Sequence, residues 1–355
     1  MRMQLAHGKC RQAGVRLAIW VSRVDRASVT QRYYELDVMK AASIVAVVFI
    51  HSTSPFWFPN VSSIDRFVGY TARFAVPAFL AVSGFLYYSA QPILLATVLR
   101  RARRILLPYF VASAMAYAFG ILFPRYAATT SLLKGLLVGG TFGPYYYVFV
   151  LVQFVLATWL LSRFPPPLMW LCLLASIVTS GLAEVSFRFL LDPFWTLRRG
   201  DTWAFWFLLG WMLAAHRDVV FAFTKRYRPT ILCCWFVCLV VSSAVLSRGI
   251  FTDIRLARAV EMVLILANLM GLFSLKRGTQ SLPRSVLTLS NWSYAIYLFH
   301  PFFIYLLQET VERHHQLCGL CVLLLRCCAG LGGALCVTYT ARRFLGPLSR
   351  DVVGA

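Results

Sequence analysis

A lysine and a histidine stand eleven positions apart in an apolar segment near the start of the chain. Lys40 comes shortly after Leu36 and Asp37, and His51 follows it with ten residues between. Eleven residues of α-helix rise about 16 Å and make almost three turns, so both side chains lie on nearly one face. Histidine titrates near neutral pH and can deprotonate a hydroxyl. Two interpretations of His51 remain open: a general base whose helix face includes Lys40, or a histidine satisfied by a neighbouring helix.

Four arginines follow the second apolar segment within five positions. Arg101 and Arg104 are three residues apart, as are Arg100 and Arg103, so each pair points to one face of a helix. Guanidinium groups bind phosphates, and the start of a helix favours anions. The cluster therefore predicts an anion clamp. The alternative is a topology signal, because basic residues concentrate on the cytoplasmic side of a membrane.

Two further charged residues lie inside apolar segments, where a charge is costly and marks a functional candidate. Arg73 either extends to the membrane surface or contacts another helix. Glu261 is predicted to form an ion pair, with Arg258, Arg73 or Arg326 as its possible partner.

Three smaller features belong to the same set of candidates. Ser83 and Gly84 permit a close contact between helices. Tyr294 lies on a helix face related to that of Pro301. His300 precedes this proline and is either catalytic or packed in the core.

The composition decides which elements position these residues. The chain has 355 residues, of which 59% are hydrophobic and 14% charged, with a mean hydropathy of +0.69. A soluble domain would be roughly a quarter charged, so a soluble globular protein and a disordered chain are both excluded. A transmembrane barrel would show short alternating segments instead of long apolar runs.

The fold class predicted is all-α: a polytopic integral membrane protein with about ten transmembrane helices and no appended soluble domain. The ten apolar segments are 36–58, 66–89, 104–123, 143–162, 167–187, 201–216, 230–248, 256–274, 289–308 and 317–339. No internal repeat is visible.

The net charge of +22 and the pI near 10.1 raise the possibility of nucleic-acid binding. Most basic residues, however, lie between apolar segments, which favours a membrane protein without a nucleic-acid partner. Twenty-two of them fall on the N-terminal side of the ten-span arrangement and ten on the other. This asymmetry places both termini in the cytoplasm. Residues 1–32 form a basic N-terminal segment suited to anionic lipid, and 341–355 form a short tail.

Most of the ten cysteines lie in apolar segments, where cysteine behaves as a small hydrophobic residue. Cys318 and Cys321 form a C-x-x-C, for which a redox pair, a metal site and plain packing are all open. We expect packing, and no metal site.

Six segments, in order, resemble membrane-bound acyltransferase family 3, which includes O-acetyltransferases of bacterial surface polysaccharides. They are 36–51, 76–85, 101–108, 145–153, 205–210 and 293–301. The resemblance covers about residues 33–340. Lys40 stands where the family usually has arginine. The positive charge is retained, but the planar guanidinium group, which can bind an anion through two parallel hydrogen bonds, is absent. Leu80 replaces a frequent phenylalanine.

The resemblance implies an integral O-acyltransferase of the bacterial inner membrane, with residues 33–340 as its transmembrane domain. It would transfer an acyl group, in the simplest case acetyl from acetyl-CoA, to a hydroxyl of a cell-surface or lipid-linked glycan. Acyl-CoA, that glycan and membrane lipids are the implied partners, and no cofactor is tightly bound. The site residues expected are His51 and Lys40 for catalysis, Arg100, Arg101, Arg103 and Arg104 for the donor, and Arg73, Ser83, Glu261, Tyr294 and His300 for support.

Direct transfer and an acyl relay on the protein both remain open. Two other classes also account for embedded charges: a small-molecule or lipid transporter, which broken helices would favour, and a non-catalytic membrane scaffold.

Overall fold

The apolar segments form helices in a computed structural model that describes residues 32–53, 63–126, 131–189, 193–248, 254–275, 282–312 and 319–355. The chain divides into two units, Met1–Tyr34 and Glu35–Ala355, and the second contains everything discussed below. Its described residues contain no strand and no separate soluble domain, which confirms the all-α prediction. Residues 1–31 and Cys318 of the C-x-x-C lie outside the described residues.

Every predicted segment contains a helix. In chain order the helices are α1 (Tyr34–Ser52), α2 (Ser63–Ala72), α3 (Ala75–Tyr87), α4 (Leu95–Leu122), α5 (Leu132–Val138), α6 (Tyr146–Leu161), α7 (Pro166–Phe189), α8 (Pro193–Thr196), α9 (Gly200–Ala215), α10 (Arg217–Arg226), α11 (Arg228–Ser247), α12 (Ile254–Ser274), α13 (Arg284–Asn291), α14 (Ser293–Leu307), α15 (Gly319–Leu345) and α16 (Ser349–Val352).

Five helical stretches of the described chain are long and apolar enough to cross a membrane. They are Ile64–Tyr87, Leu95–Leu122, Gly143–Leu161, Arg228–Ser247 and Gly319–Val352. A sixth is added if α9 and α10, which meet at a 90° bend, count as one span. The predicted number of ten is therefore not confirmed.

For two of the other helices the shortfall has a physical cause. Helix α1 carries Glu35, Asp37 and Lys40 in its first two turns, and α14 has only 15 residues before a π turn begins at Gln308. In α7 and α12, whose side chains are described only in part, the described residues form the shorter apolar stretches Pro166–Ser180 and Val260–Ser274.

A break at Arg73 and Phe74 separates α2 from α3. Pro77 lies in the first turn of α3, where its missing N–H leaves no hydrogen bond unmade. The break therefore ends α2 and starts a new helix, and both helices lie within the one apolar stretch Ile64–Tyr87.

Glycines set how closely the helices approach each other. At Gly84 of α3, a Cβ atom would lie 2.0 Å from the carbonyl oxygen of Phe207, and at Gly210 of α9 it would lie 1.8 Å from that of Ala81. The backbones of α3 and α9 are thus in direct contact, as the Ser83-Gly84 pair predicts. A third glycine, Gly333, lets α15 pack against the ring of Phe303 on α14.

Candidate active site

Two histidines from distant parts of the chain meet between α1 and α14. The ring centroids of His51 and His300 are 5.3 Å apart. His300 is fully buried, and its Nδ1 lies 3.0 Å from the carbonyl oxygen of Ile296. Its Nε2 is also buried and has no hydrogen-bond partner in the described part of the chain. The sequence predicts both histidines as candidates but does not predict that they are neighbours.

A series of aromatic side chains leads away from this histidine pair. The ring of Tyr297 lies 6.3 Å from His300, and Tyr147 lies 5.5 Å from Tyr297. The hydroxyl of Tyr147 interacts with the side chain of Ser83 and electrostatically with Tyr87. We call Tyr87, Tyr147 and Tyr297 the tyrosine series.

The arginine cluster lies at the other end of the tyrosine series. The guanidinium of Arg101 lies over the ring of Tyr87, 5.0 Å from its centroid, and Arg104 also interacts electrostatically with this tyrosine. One guanidinium nitrogen of Arg101, Nη1, is buried without a hydrogen-bond partner among the described residues. Arg100, Arg103 and Arg104 are exposed, whereas Arg101 is half-buried. The structure therefore distinguishes Arg101 within a cluster whose two pairs the sequence treats alike.

Other tyrosine hydroxyls fix α14 in place. Tyr145 donates to the carbonyl oxygen of Leu298 at 2.6 Å, and Tyr294 donates to that of Ile105 at 2.7 Å. Tyr297 donates in the same way to Pro144. Because each acceptor lies on a different segment from its donor, these bonds hold the helix that carries His300 against α4 and against the turn Gly143–Tyr145 that precedes α6.

Lys40 contacts Asp37 one turn earlier on α1. Its Nζ lies 3.3 Å from the carboxylate, and the buried Asp37 also accepts a hydrogen bond from Ser290. Lys40 and His51 share one helix as predicted, but they lie at its opposite ends.

Arg73 is the partner of Glu261, at 2.9 Å between Nη1 and Oε1, so the structure selects one of the three predicted ion pairs. Arg326, another of the three, donates instead to the carbonyl oxygen of Ser52 at 2.9 Å, next to His51. The side chain of Arg258 lies outside the described residues.

Two features were missed or weighed lightly from the sequence. The sequence included Tyr147 only in the aromatic segment 145–153 that resembles the family. No pattern in its own helix distinguished it from a residue that serves packing. Arg326, which lies next to His51, was considered only as a partner of Glu261.

The residues that the structure describes contain no group of three His, Cys, Asp or Glu side chains able to hold a metal ion.

The fold and the site together define a multi-pass helical membrane protein in which a buried and a half-buried histidine meet beside a series of tyrosine rings. The family model described as an acyltransferase domain, that of acyltransferase family 3, matches residues 33–343. The chain belongs to this family and is a multi-pass membrane acyltransferase. No curated protein and no solved structure matches the chain significantly.

Proposed function

We propose that this acyltransferase moves an acetyl group from acetyl-CoA to a hydroxyl of a cell-surface or lipid-linked glycan in the bacterial inner membrane. The observation that carries the proposal is the path of ring contacts and electrostatic interactions from Arg101 through the tyrosine series to the histidine pair. This path joins a cluster suited to phosphates with a pair suited to proton transfer.

The donor end is assigned from charge. Acyl-CoA carries several phosphate charges, and Arg101 and Arg104 offer guanidinium groups on one face of α4. Nη1 of Arg101, which has no hydrogen-bond partner among the residues that the structure describes, supports this assignment, because a buried donor nitrogen without a partner is costly unless a ligand satisfies it. The tyrosine series then provides an amphipathic wall for the narrow part of the donor.

The acceptor end is assigned from the chemistry of the reaction. A sugar hydroxyl is a poor nucleophile and needs a base, and His51 is the proposed general base. The half-buried His51 lies at the end of α1, beside Ser52 and Arg326. Its place in the first span matches the family's histidine, and the glycan acceptor rests on the family resemblance.

Replacement of His51 by alanine tests this function. We expect His51→Ala membranes to transfer labelled acetyl from acetyl-CoA to glycan at least about 10²-fold more slowly, since a positioned base contributes about 10²–10⁴-fold. Expression and acetyl-CoA binding should stay near normal.

His216 provides the matched control. It is exposed and stacks on Trp170, away from the histidine pair, so His216→Ala should transfer at the wild-type rate. A wild-type rate in His51→Ala would make His51 a packing residue and remove the catalytic assignment.

One observation favours the transporter alternative: α9 and α10 form a bent pair of the kind found in broken spans. The same membranes discriminate between the two functions. A transporter would accumulate or export its cargo without hydrolysing or transferring the thioester, whereas the enzyme should consume acetyl-CoA.

A further inference from the structure

His300 is held so that one ring nitrogen is occupied and the other is available. Its Nδ1 lies 3.0 Å from the carbonyl oxygen of Ile296. A carbonyl oxygen only accepts hydrogen bonds, so Nδ1 carries the proton of the neutral ring and Nε2 carries a lone pair. That lone pair is buried, with no hydrogen-bond partner in the ranges that the structure describes. A buried acceptor in this state is costly for a residue that serves only packing.

The surroundings of His300 indicate what Nε2 serves. From its own helix, Tyr297 faces the ring at 6.3 Å, but the hydroxyl of that tyrosine is already bonded to Pro144. From α1, His51 faces it at 5.3 Å. On α15, the charged Arg326 is bonded to the carbonyl of Ser52. His300 thus lies between the tyrosine series and His51.

We propose that His300 is a second catalytic residue, which passes the acceptor's proton from His51 to the sulfur of the leaving group. The proposal rests on the proposed function, because it uses the same donor and acceptor. In this proposal His300 serves the acyl donor, acetyl-CoA, and His51 serves the glycan that accepts the acyl group.

The step balances without a further reactant. The O–H bond of the acceptor breaks and its proton goes to His51, while the oxygen forms a bond to the thioester carbon. The C–S bond breaks and the electron pair leaves with the sulfur. The proton moves from His51 to Nε2 of His300 and then to the thiolate, which becomes a thiol. Two rings this close repel each other when both are charged, which favours one shared proton.

Two substitutions separate catalysis from packing. His300→Gln keeps a polar side chain, and His300→Phe keeps an aromatic ring of similar shape, but neither can relay a proton. We expect kcat to fall at least about 10²-fold in both, with the KM for acetyl-CoA and the melting temperature near the wild-type values. The control His216→Gln should retain full activity. A wild-type kcat in either variant, or loss of folded protein in both, would overturn the proposal.

A second measurement follows the protons themselves. The proton is transferred in successive steps in the proposed reaction and each step has its own isotope effect, so the wild-type rate should depend on the deuterium fraction of the solvent along a curve. In His300→Gln the residual rate should fall along a straight line, because only the base still moves a proton. A wild-type rate that is linear in deuterium fraction, or independent of it, would contradict the relay.

The same assay with His51→Ala distinguishes the two possible failures. If His51→Ala is inactive and the His300 variants are active, only the relay is wrong. If His51→Ala is active, the base assignment of the proposed function fails and the relay fails with it.

Discussion

At the scale of single residues, the position of Asp37 changes what is expected of Lys40. The carboxylate is buried, and its partners are Lys40 and the hydroxyl of Ser290. Removing one partner of a buried charge pair leaves the other charge uncompensated, which costs more than the pair contributes. Lys40 is therefore expected to act on the site through the packing of α1 against α13.

This role gives a prediction for three variants. Lys40→Arg should retain most of the transfer activity, because the charge persists. Lys40→Ala should lose most of it together with folded protein. The double variant Lys40→Ala/Asp37→Asn should recover folded protein, because it also removes the buried negative charge that Lys40 balances. Detergent-solubilised yield and thermal unfolding measure the recovery. Full activity and yield in Lys40→Ala would show that the lysine has no role.

The two arginine pairs allow a prediction with a charge-matched comparison. Arg101→Ala and Arg104→Ala should each weaken acetyl-CoA binding by about 1.5–3 kcal/mol, the value of a charge-assisted hydrogen bond. The double variant Arg100→Ala/Arg103→Ala removes as much charge as Arg101→Ala/Arg104→Ala, but from the neighbouring helix face, and should cause a much smaller loss. Binding to purified protein measures both double variants. Equal losses in the two would reduce the cluster to a topology signal.

The residue types of the site could be predicted from the sequence, but their partners could not. A charge or histidine in an apolar segment is anomalous by itself, so Arg73, Glu261 and His300 were found without a structure. The choice of Arg73 for Glu261, and the meeting of His300 with His51, depend on how helices far apart in the chain pack. No local spacing encodes that packing.

At the scale of elements, the contact between α3 and α9 positions the tyrosine series. Ser83, which contacts Tyr147, precedes the glycine at which the two backbones meet. Any side chain at this glycine contact must push the helices apart, because the atoms it would meet are backbone carbonyl oxygens.

We therefore expect Gly210→Ala to destabilise the protein by about 1–3 kcal/mol, the usual cost of overpacking. Gly332→Ala is the control: nothing lies within 4 Å of the Cβ it would add, and it lies within α15. That change should be neutral or stabilise by up to about 1 kcal/mol. Thermal unfolding in detergent compares the two. Equal melting temperatures for both variants would contradict the close contact.

Helix positions were well predicted where apolar runs are long, as for 143–162 against Gly143–Leu161. The arginine cluster showed the limit of this method. The predicted third span began at Arg104, but α4 begins at Leu95, because an arginine-rich turn continues the helix without adding to the apolar run. Hydropathy locates the apolar part of a helix and is insensitive to polar turns that extend it.

At the scale of the whole molecule, contacts between loops join segments that an alternating ten-span path places on one side. Arg228 donates to the carbonyl of Ser274, and Arg163 donates to that of Ile93. On the opposite side, Arg198 donates to the carbonyls of Val138 and Gly139 at 2.7 and 2.8 Å. These contacts restrict the topology independently of the charge count, but they do not define which side is the cytoplasm.

The orientation can be predicted by combining the contacts with the charge asymmetry. Because Arg198 contacts Val138, reporters fused after these two residues should report the same compartment, and the 22-to-10 distribution of basic residues makes it the periplasm. A fusion after Arg163 should report the cytoplasm and serves as the control. A phosphatase that is active only in the periplasm and a fluorescent protein that matures only in the cytoplasm would be compared at each site. Different compartments for Val138 and Arg198 would contradict the helix arrangement, whereas a cytoplasmic signal at both would reverse the orientation and remove the arginine cluster from the side where acyl-CoA is made.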